Sequence, residues 1–199
     1  IRKEFDIKKI KVGHAGTLDP LATGLMLICT GKMTKQIEQF MGMPKTYTGS
    51  FRLGTTTPSY DLETSLSEPK STDHITAKTL EEVRAGFLGK IQQKPPLHSA
   101  IKKDGKRLYT LARAGKTTEI PSREVQITSF ELTDVNVPDI HFSVSCSKGT
   151  YIRSLAHDFG QKLGCGAHLT SLKRTAIGSY RLLDALTLDT FLHSLEAKS

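Results

Sequence analysis

No tryptophan occurs among the 199 residues, aromatic residues make up only 7%, and there are only three cysteines. An odd number of cysteines (Cys29, Cys146, Cys165) at irregular spacing excludes a disulfide framework and points to free thiols in a reducing, cytoplasmic compartment. Long apolar runs are missing as well. The longest, Leu25 to Cys29, is far short of the roughly 20 residues that span a bilayer. The opening Ile-Arg-Lys-Glu-Phe-Asp has no apolar stretch of the kind a secretory signal needs. The chain starts at Ile1 rather than Met, as a fragment would. Acidic side chains are scarce, with 20 Asp and Glu against 28 Lys and Arg, for a net charge of +8. Collagen-like and disulfide-dense classes are thereby excluded, and a single globular domain is expected for this length.

The basic excess is local. Residues 90–125 carry nine basic and three acidic side chains, whereas residues 60–83 carry six acidic and two basic ones. A concentrated positive stretch suits a polyanionic partner such as nucleic acid, although a charge run is also how a solvated face looks.

Periodicity sketches the fold. Leu25 to Cys29 reads as a short strand, and the segment after Gly31 as a helix with Ile37, Phe40 and Met41 on one side. Lys45 to Leu53 alternates as a half-buried strand does. Residues 54–75 read as an acidic surface loop. Thr79-Leu-Glu-Glu82 reads as a capping box opening a helix that turns Leu80, Val83 and Phe87 inward. Arg107 to Ala114 suits a short helix. Strands are expected at Val125–Leu132 and over Ile140, Phe142, Val144 and Cys146. A helix then places Ile152, Leu155, Ala156, Phe159 and Leu163 on one stripe, with Gly164 just past its end. Strands and helices mix without regular βαβ alternation, so the expected class is α+β with a mixed, mainly antiparallel sheet flanked by helices. Cys165-Gly-Ala-His168 supplies half a zinc site at most, with no second pair to complete it.

The densest local pattern is Gly13-His-Ala-Gly-Thr-Leu-Asp-Pro-Leu-Ala-Thr-Gly24. Three glycines and a proline in twelve residues force an unusual backbone path. Asp19 before Pro20 suits a helix N-cap, the reading that spacing alone favours; a carboxylate presented by tight turns is the other.

This run resembles the signature of the TruB family, the tRNA pseudouridine-55 synthases. Four more blocks are similar to the family's, in order. They are Lys45 to Gly54 with Thr56-Thr-Pro-Ser-Tyr-Asp61; Gln93-Lys-Pro-Pro-Leu-His-Ser-Ala-Ile-Lys-Lys-Asp-Gly-Lys-Arg-Leu-Tyr109; Ser147-Lys-Gly-Thr-Tyr-Ile-Arg-Ser154; and Leu163 to Leu169 leading to Leu172-Lys-Arg174. The resemblance implies a single pseudouridine-synthase catalytic domain over residues 1–199, with a basic RNA-contacting insertion around 95–118. An upstream segment of the family pattern is expected to precede Ile1, and no additional C-terminal RNA-binding domain is expected.

The implied reaction exchanges the C1′–N1 bond of a uridine for a C1′–C5 bond, with no change of oxidation state and no cofactor or metal. The base must first leave its stack. Asp19 matches the family's catalytic acid, working at C1′ as a nucleophile or at the 2′ hydrogen. Arg153 matches its counter-charge. Tyr47 matches the site tyrosine, placed to stack on uracil and reach C5. Tyr151, Leu172 and His14 match substrate-contacting positions. Lys102, Lys103, Lys106, Arg107 and Arg113 are expected to neutralise RNA phosphates, with Lys173 and Arg174 extending that surface. The implied partner is the T stem-loop of tRNA, without guide RNA or membrane, met by a monomer. A non-catalytic RNA-binding or chaperone module and a base-excising N-glycosidase are the alternatives.

Overall fold

The computed structural model describes residues 10–99, 102–103, 106–107 and 120–196. The side chains of Lys102, Lys103, Lys106 and Arg107, and all of Arg113, lie outside the described residues.

Near the start, β1 (Val12–His14) and β3 (Ile28–Thr30) form a two-stranded antiparallel ribbon. Between them runs β2 (Ala22–Gly24). A 3₁₀ turn over Gly31–Gln36 leads into α1 (Ile37–Gly42). The apolar run Leu25 to Cys29 is therefore only partly strand, because Leu25 to Leu27 return the chain from β2 to β3. Phe40 is buried as the spacing requires, but Met41 is exposed on this short helix.

The main sheet has seven strands. β11 (Tyr180–Arg181), β10 (Ala167–Ile177), β4 (Lys45–Leu53), β9 (Asp139–Cys146), β8 (Arg123–Asn136) and β5 (Gly89–Gln93) lie side by side, and β2 pairs with β10. All pairings are antiparallel except β2 with β10. The architecture is α+β. Lys102–Lys103 (β6) and Lys106–Arg107 (β7) form a separate short antiparallel pair, so Arg107 is in a strand and not the start of a helix.

One face of the sheet is covered by α2 (Ala77–Ala85) and α3 (Ile152–Lys162). α2 begins three residues earlier than the Thr79 reading. Thr76 is the N-cap, and its side chain and that of Thr79 exchange hydrogen bonds with each other's backbone N–H. A hydroxyl replaces the expected glutamate at the third position, which hid this cap in the sequence. The predicted stripe on α3 is fully buried, and Gly164 follows with φ +80°.

Five phenylalanines knit the core. Phe51, Phe87, Phe130 and Phe142 surround or adjoin Phe159 of α3, with ring-centre separations of 5.0–6.3 Å. Each such ring contributes about 1.5–3 kcal/mol on burial. Close approach of α3 to β10 depends on Gly160, where a Cβ would meet the Ala167 backbone nitrogen at 2.2 Å. The three cysteines are buried free thiols, and burial pushes Cys146 up to about 11. A terminal α4 (Leu188–Glu196) follows a 3₁₀ turn at Leu182–Asp184. No helix among the described residues is long and apolar enough to cross a membrane.

Candidate active site

Asp19 starts no helix. Pro20 and Leu21 turn the chain, with the Ala22 N–H donating to the Asp19 carbonyl at 2.9 Å, and β2 follows. Its parallel pairing aligns Ala22 with Leu172 and Gly24 with Arg174. The glycine at 24 is required twice: φ is +104°, and a Cβ would lie 2.3 Å from the Arg174 carbonyl oxygen. Asp19 is thereby fixed beside the Leu169 to Leu172 stretch of β10, opposite the first turn of α3.

Arg153 rises from that turn, 3% exposed. Its Nη2 donates to Asp19 Oδ1 at 2.7 Å and its Nε to Oδ2 at 3.1 Å, a two-pronged pair. The rest of the fork is used too: Nη1 donates to the Ser59 carbonyl at 3.2 Å, and Nη2 to the His98 carbonyl at 3.0 Å. Asp61 lies 3.6 Å from Nη1 and is itself buried. A guanidinium this deep must have its charge and donors matched, and here two carboxylates and two carbonyls do so. The Asp19 side chain keeps 34% exposure, so one edge of the carboxylate faces outward.

That edge borders a cavity of about 110 Å³ lined by Thr17, Leu18, Asp19, Tyr47, Tyr151 and Leu172, with Thr150 and Ile152 at its side. The structure thus brings Asp19, Tyr47, Arg153, Tyr151 and Leu172 together from four separate parts of the chain. Burial raises the Tyr47 phenol above its ordinary value, so Tyr47 is a neutral hydrogen-bonding group at physiological pH. Leu172 is buried, an apolar wall beside the acid.

His14 is elsewhere. It is exposed on β1 and does not line the cavity. Lys173 is exposed on β10. Arg174, expected beside it on the RNA-facing surface, is instead 2% exposed. Strand alternation turns it inward, where Nε donates to the Leu25 carbonyl at 2.8 Å and Nη2 to the Gly16 carbonyl at 3.1 Å. It staples both ends of the Asp19 loop. His168 is likewise engaged, with Nδ1 3.1 Å from the Thr55 carbonyl oxygen and 3.2 Å from the Thr55 hydroxyl, while the Cys165 thiol turns to the Gly166 carbonyl.

Residues 54–75 are not wholly a surface loop. Thr57, Ser59 and Asp61 are buried, and the Thr57 hydroxyl donates to the Asp61 carbonyl at 2.6 Å. Tyr60 adopts φ +66° and stacks on His157 of α3, ring centres 3.9 Å apart. Asp61 was hidden among the acidic residues of 60–83. The available signal was its place at the end of the family-like block Thr56-Thr-Pro-Ser-Tyr-Asp61.

Comparison with known proteins agrees with this arrangement. The model described as "TruB family pseudouridylate synthase (N terminal domain)" matches residues 2–152, and "tRNA pseudouridylate synthase B C-terminal domain" matches 153–199. The chain is 57% identical over 189 residues to tRNA pseudouridine synthase B of Flavobacterium johnsoniae, covering 95% of this chain and 82% of that one. It is 52% identical over 191 residues to tRNA pseudouridine synthase B of Phocaeicola vulgatus, covering 96% and 81%. Among solved structures, a chain of a Cbf5-Nop10-Gar1 complex superposes with a TM-score of 0.71 at 26% identity, over 96% of this chain but only 47% of that one. With a carboxylate and two phenols around one cavity, a guanidinium paired to that carboxylate from behind, and both family models together covering residues 2–199, this chain belongs to the TruB family of pseudouridylate synthases.

Proposed function

We propose that this chain converts the T-loop uridine at position 55 of tRNA to pseudouridine, and that Asp19 is the group that acts on the ribose. The observation that carries the reading is the half-exposed Asp19 carboxylate, held by Arg153 at the edge of a cavity with Tyr47, Tyr151 and Leu172.

The uridine swings out of its stack and its base enters between Leu172 and the two phenols. The C1′–N1 bond breaks, leaving an electron-deficient C1′ and a uracil anion. Asp19 either bonds to C1′ or takes the 2′ hydrogen, and both need an ionised carboxylate within reach of the sugar. The base turns and C5 bonds to C1′ as the Asp19 carboxylate leaves that carbon or, on the other route, as Asp19 returns the 2′ hydrogen; the C5 proton then leaves, and N1 gains a proton. Atoms and electrons balance with no cofactor. Tyr47 supplies a ring to stack on the base and a hydroxyl near C5.

A wider groove of about 440 Å³ shares the Leu172 wall and is lined by Thr23, Thr48 and Lys173 among others. It offers hydroxyls and one ammonium to the flanking RNA strand, contacts that position without reading sequence. The basic segment around 95–118 adds phosphate contacts. Recognition rests on the folded shape of the T loop. The chain acts on tRNA alone, as a cytoplasmic monomer without guide RNA. Support for tRNA as the substrate comes from relatives named for tRNA at 50% identity and above, against 26% for the complex-forming chain.

The test is a T stem-loop carrying tritium at uridine C5, followed by chromatography of the digested product. Tritium release with pseudouridine formed supports the reading. Binding without release leaves an RNA-binding module, and free uracil with an abasic site identifies an N-glycosidase.

A further inference from the structure

Tyr151 has an unusual amount of structure devoted to it. It is the N-cap of α3 yet its own side chain makes no capping bond. An N-cap N–H has no helical partner. Here it donates to the Gln93 side-chain oxygen at 2.8 Å, while the Gln93 amide nitrogen donates back to the Tyr151 carbonyl at 3.0 Å. Gln93 is 0% exposed, so its amide is committed to this one residue. Next to Gln93 across the β5–β8 ladder, in direct register, stands Arg123. Its guanidinium carbon sits 4.7 Å from the centre of the Tyr151 ring, and its Nη2 donates to the Gly149 carbonyl. Neither residue lines the cavity.

We propose that Gln93 and Arg123 are positioning residues that hold Tyr151 against the Asp19 cavity, Gln93 through its backbone and Arg123 through its ring. The inference rests on the functional reading above, in which Tyr151 contacts the flipped base. A cation over an aromatic face fixes the ring plane, and a planar guanidinium does so better than an ammonium. Gln93 adjoins Lys94, whose carbonyl accepts a hydrogen bond from the Ser154 hydroxyl at 2.8 Å, so the same strand end fixes the turn that carries Arg153. Loss of a positioning residue slows the chemical step without weakening RNA binding, since misplacement costs rate rather than affinity.

The experiment uses the full chain and the C5-tritiated T stem-loop, with single-turnover rates and RNA dissociation constants measured separately. Arg123→Lys keeps the charge and should lower the rate about 10-fold with the RNA dissociation constant within about 2-fold. Gln93→Glu keeps the size and the acceptor, loses the donor, and should act in the same direction. In a Tyr151→Ala background Arg123→Lys should change the rate by less than about 2-fold, because its target is gone. An additive effect in that background, an unchanged rate for Arg123→Lys, or weakened binding with a shallower salt slope would overturn the proposal while leaving the isomerase reading intact. No product from the wild-type chain would overturn both.

Discussion

Arg153 and Asp19 meet as a two-pronged ion pair, with nitrogen–oxygen distances of 2.7 and 3.1 Å, across 134 residues of sequence. One partner is deeply buried and the other opens to the cavity. The arginine therefore does two jobs. It orients the carboxylate, and it neutralises Asp61 behind it.

Removing that arginine separates the two jobs by measurement. Arg153→Met leaves Asp61 buried without its cation and should cost about 3–5 kcal/mol of stability by urea unfolding. Arg153→Lys retains a charge but cannot form the fork, and should lower the single-turnover rate by about 100-fold or more while losing less stability. Equal stability losses for the two variants would contradict this division.

Lys173 and Arg174 are neighbours in sequence with opposite fates. Lys173→Ala should weaken RNA binding and reduce the slope of log affinity against log salt by about 1. Arg174→Met should leave that slope unchanged and destabilise the fold by about 1–3 kcal/mol for each buried carbonyl left unpaired. A changed salt slope for Arg174→Met would show that the residue meets phosphate after all.

Asp158 gives the protein a pH signature. Burial pushes its carboxyl up to about 6, with Lys162 pulling the other way. In the unfolded chain the ordinary value is about 3.9, so between these limits the folded protein keeps a proton that the unfolded chain has lost. Its contribution to stability therefore falls as pH rises from about 4 to about 6, and stays low above that. Asp158→Asn should raise the melting temperature at pH 7.5 by about 2–4 °C, taking the solvent-screened effect as about 1 kcal/mol, and should leave it unchanged near pH 4. A variant effect that is flat with pH would contradict the assignment.

The parts of this molecule legible in the sequence were those with one strong periodic signal. The alternation of Lys45 to Leu53 and the stripe on α3 translated directly into elements and core. The TruB-like blocks pointed to Asp19, Tyr47, Tyr151, Arg153 and Leu172, which converge in space. Illegible were residues whose role depends on which way a chain turns after a break. Arg174 looked like surface charge because Lys173 precedes it, and only strand pairing with β2 decides that it faces inward. Asp61 reads as solvated because it stands in an acidic stretch with Glu63 and Glu68. Gln93 carries no charge to attract notice, and its value lies in an amide that matches both polar groups of one distant peptide backbone. Long-range polar contacts of this kind leave no period in a sequence.

The most direct test of the central claim compares the wild-type chain with Asp19→Asn on a defined T stem-loop RNA, reading the product nucleoside and the RNA affinity together. The expected result is pseudouridine from the wild type and none from the variant, with RNA binding retained. Pseudouridine formed by Asp19→Asn at the wild-type rate would contradict the account.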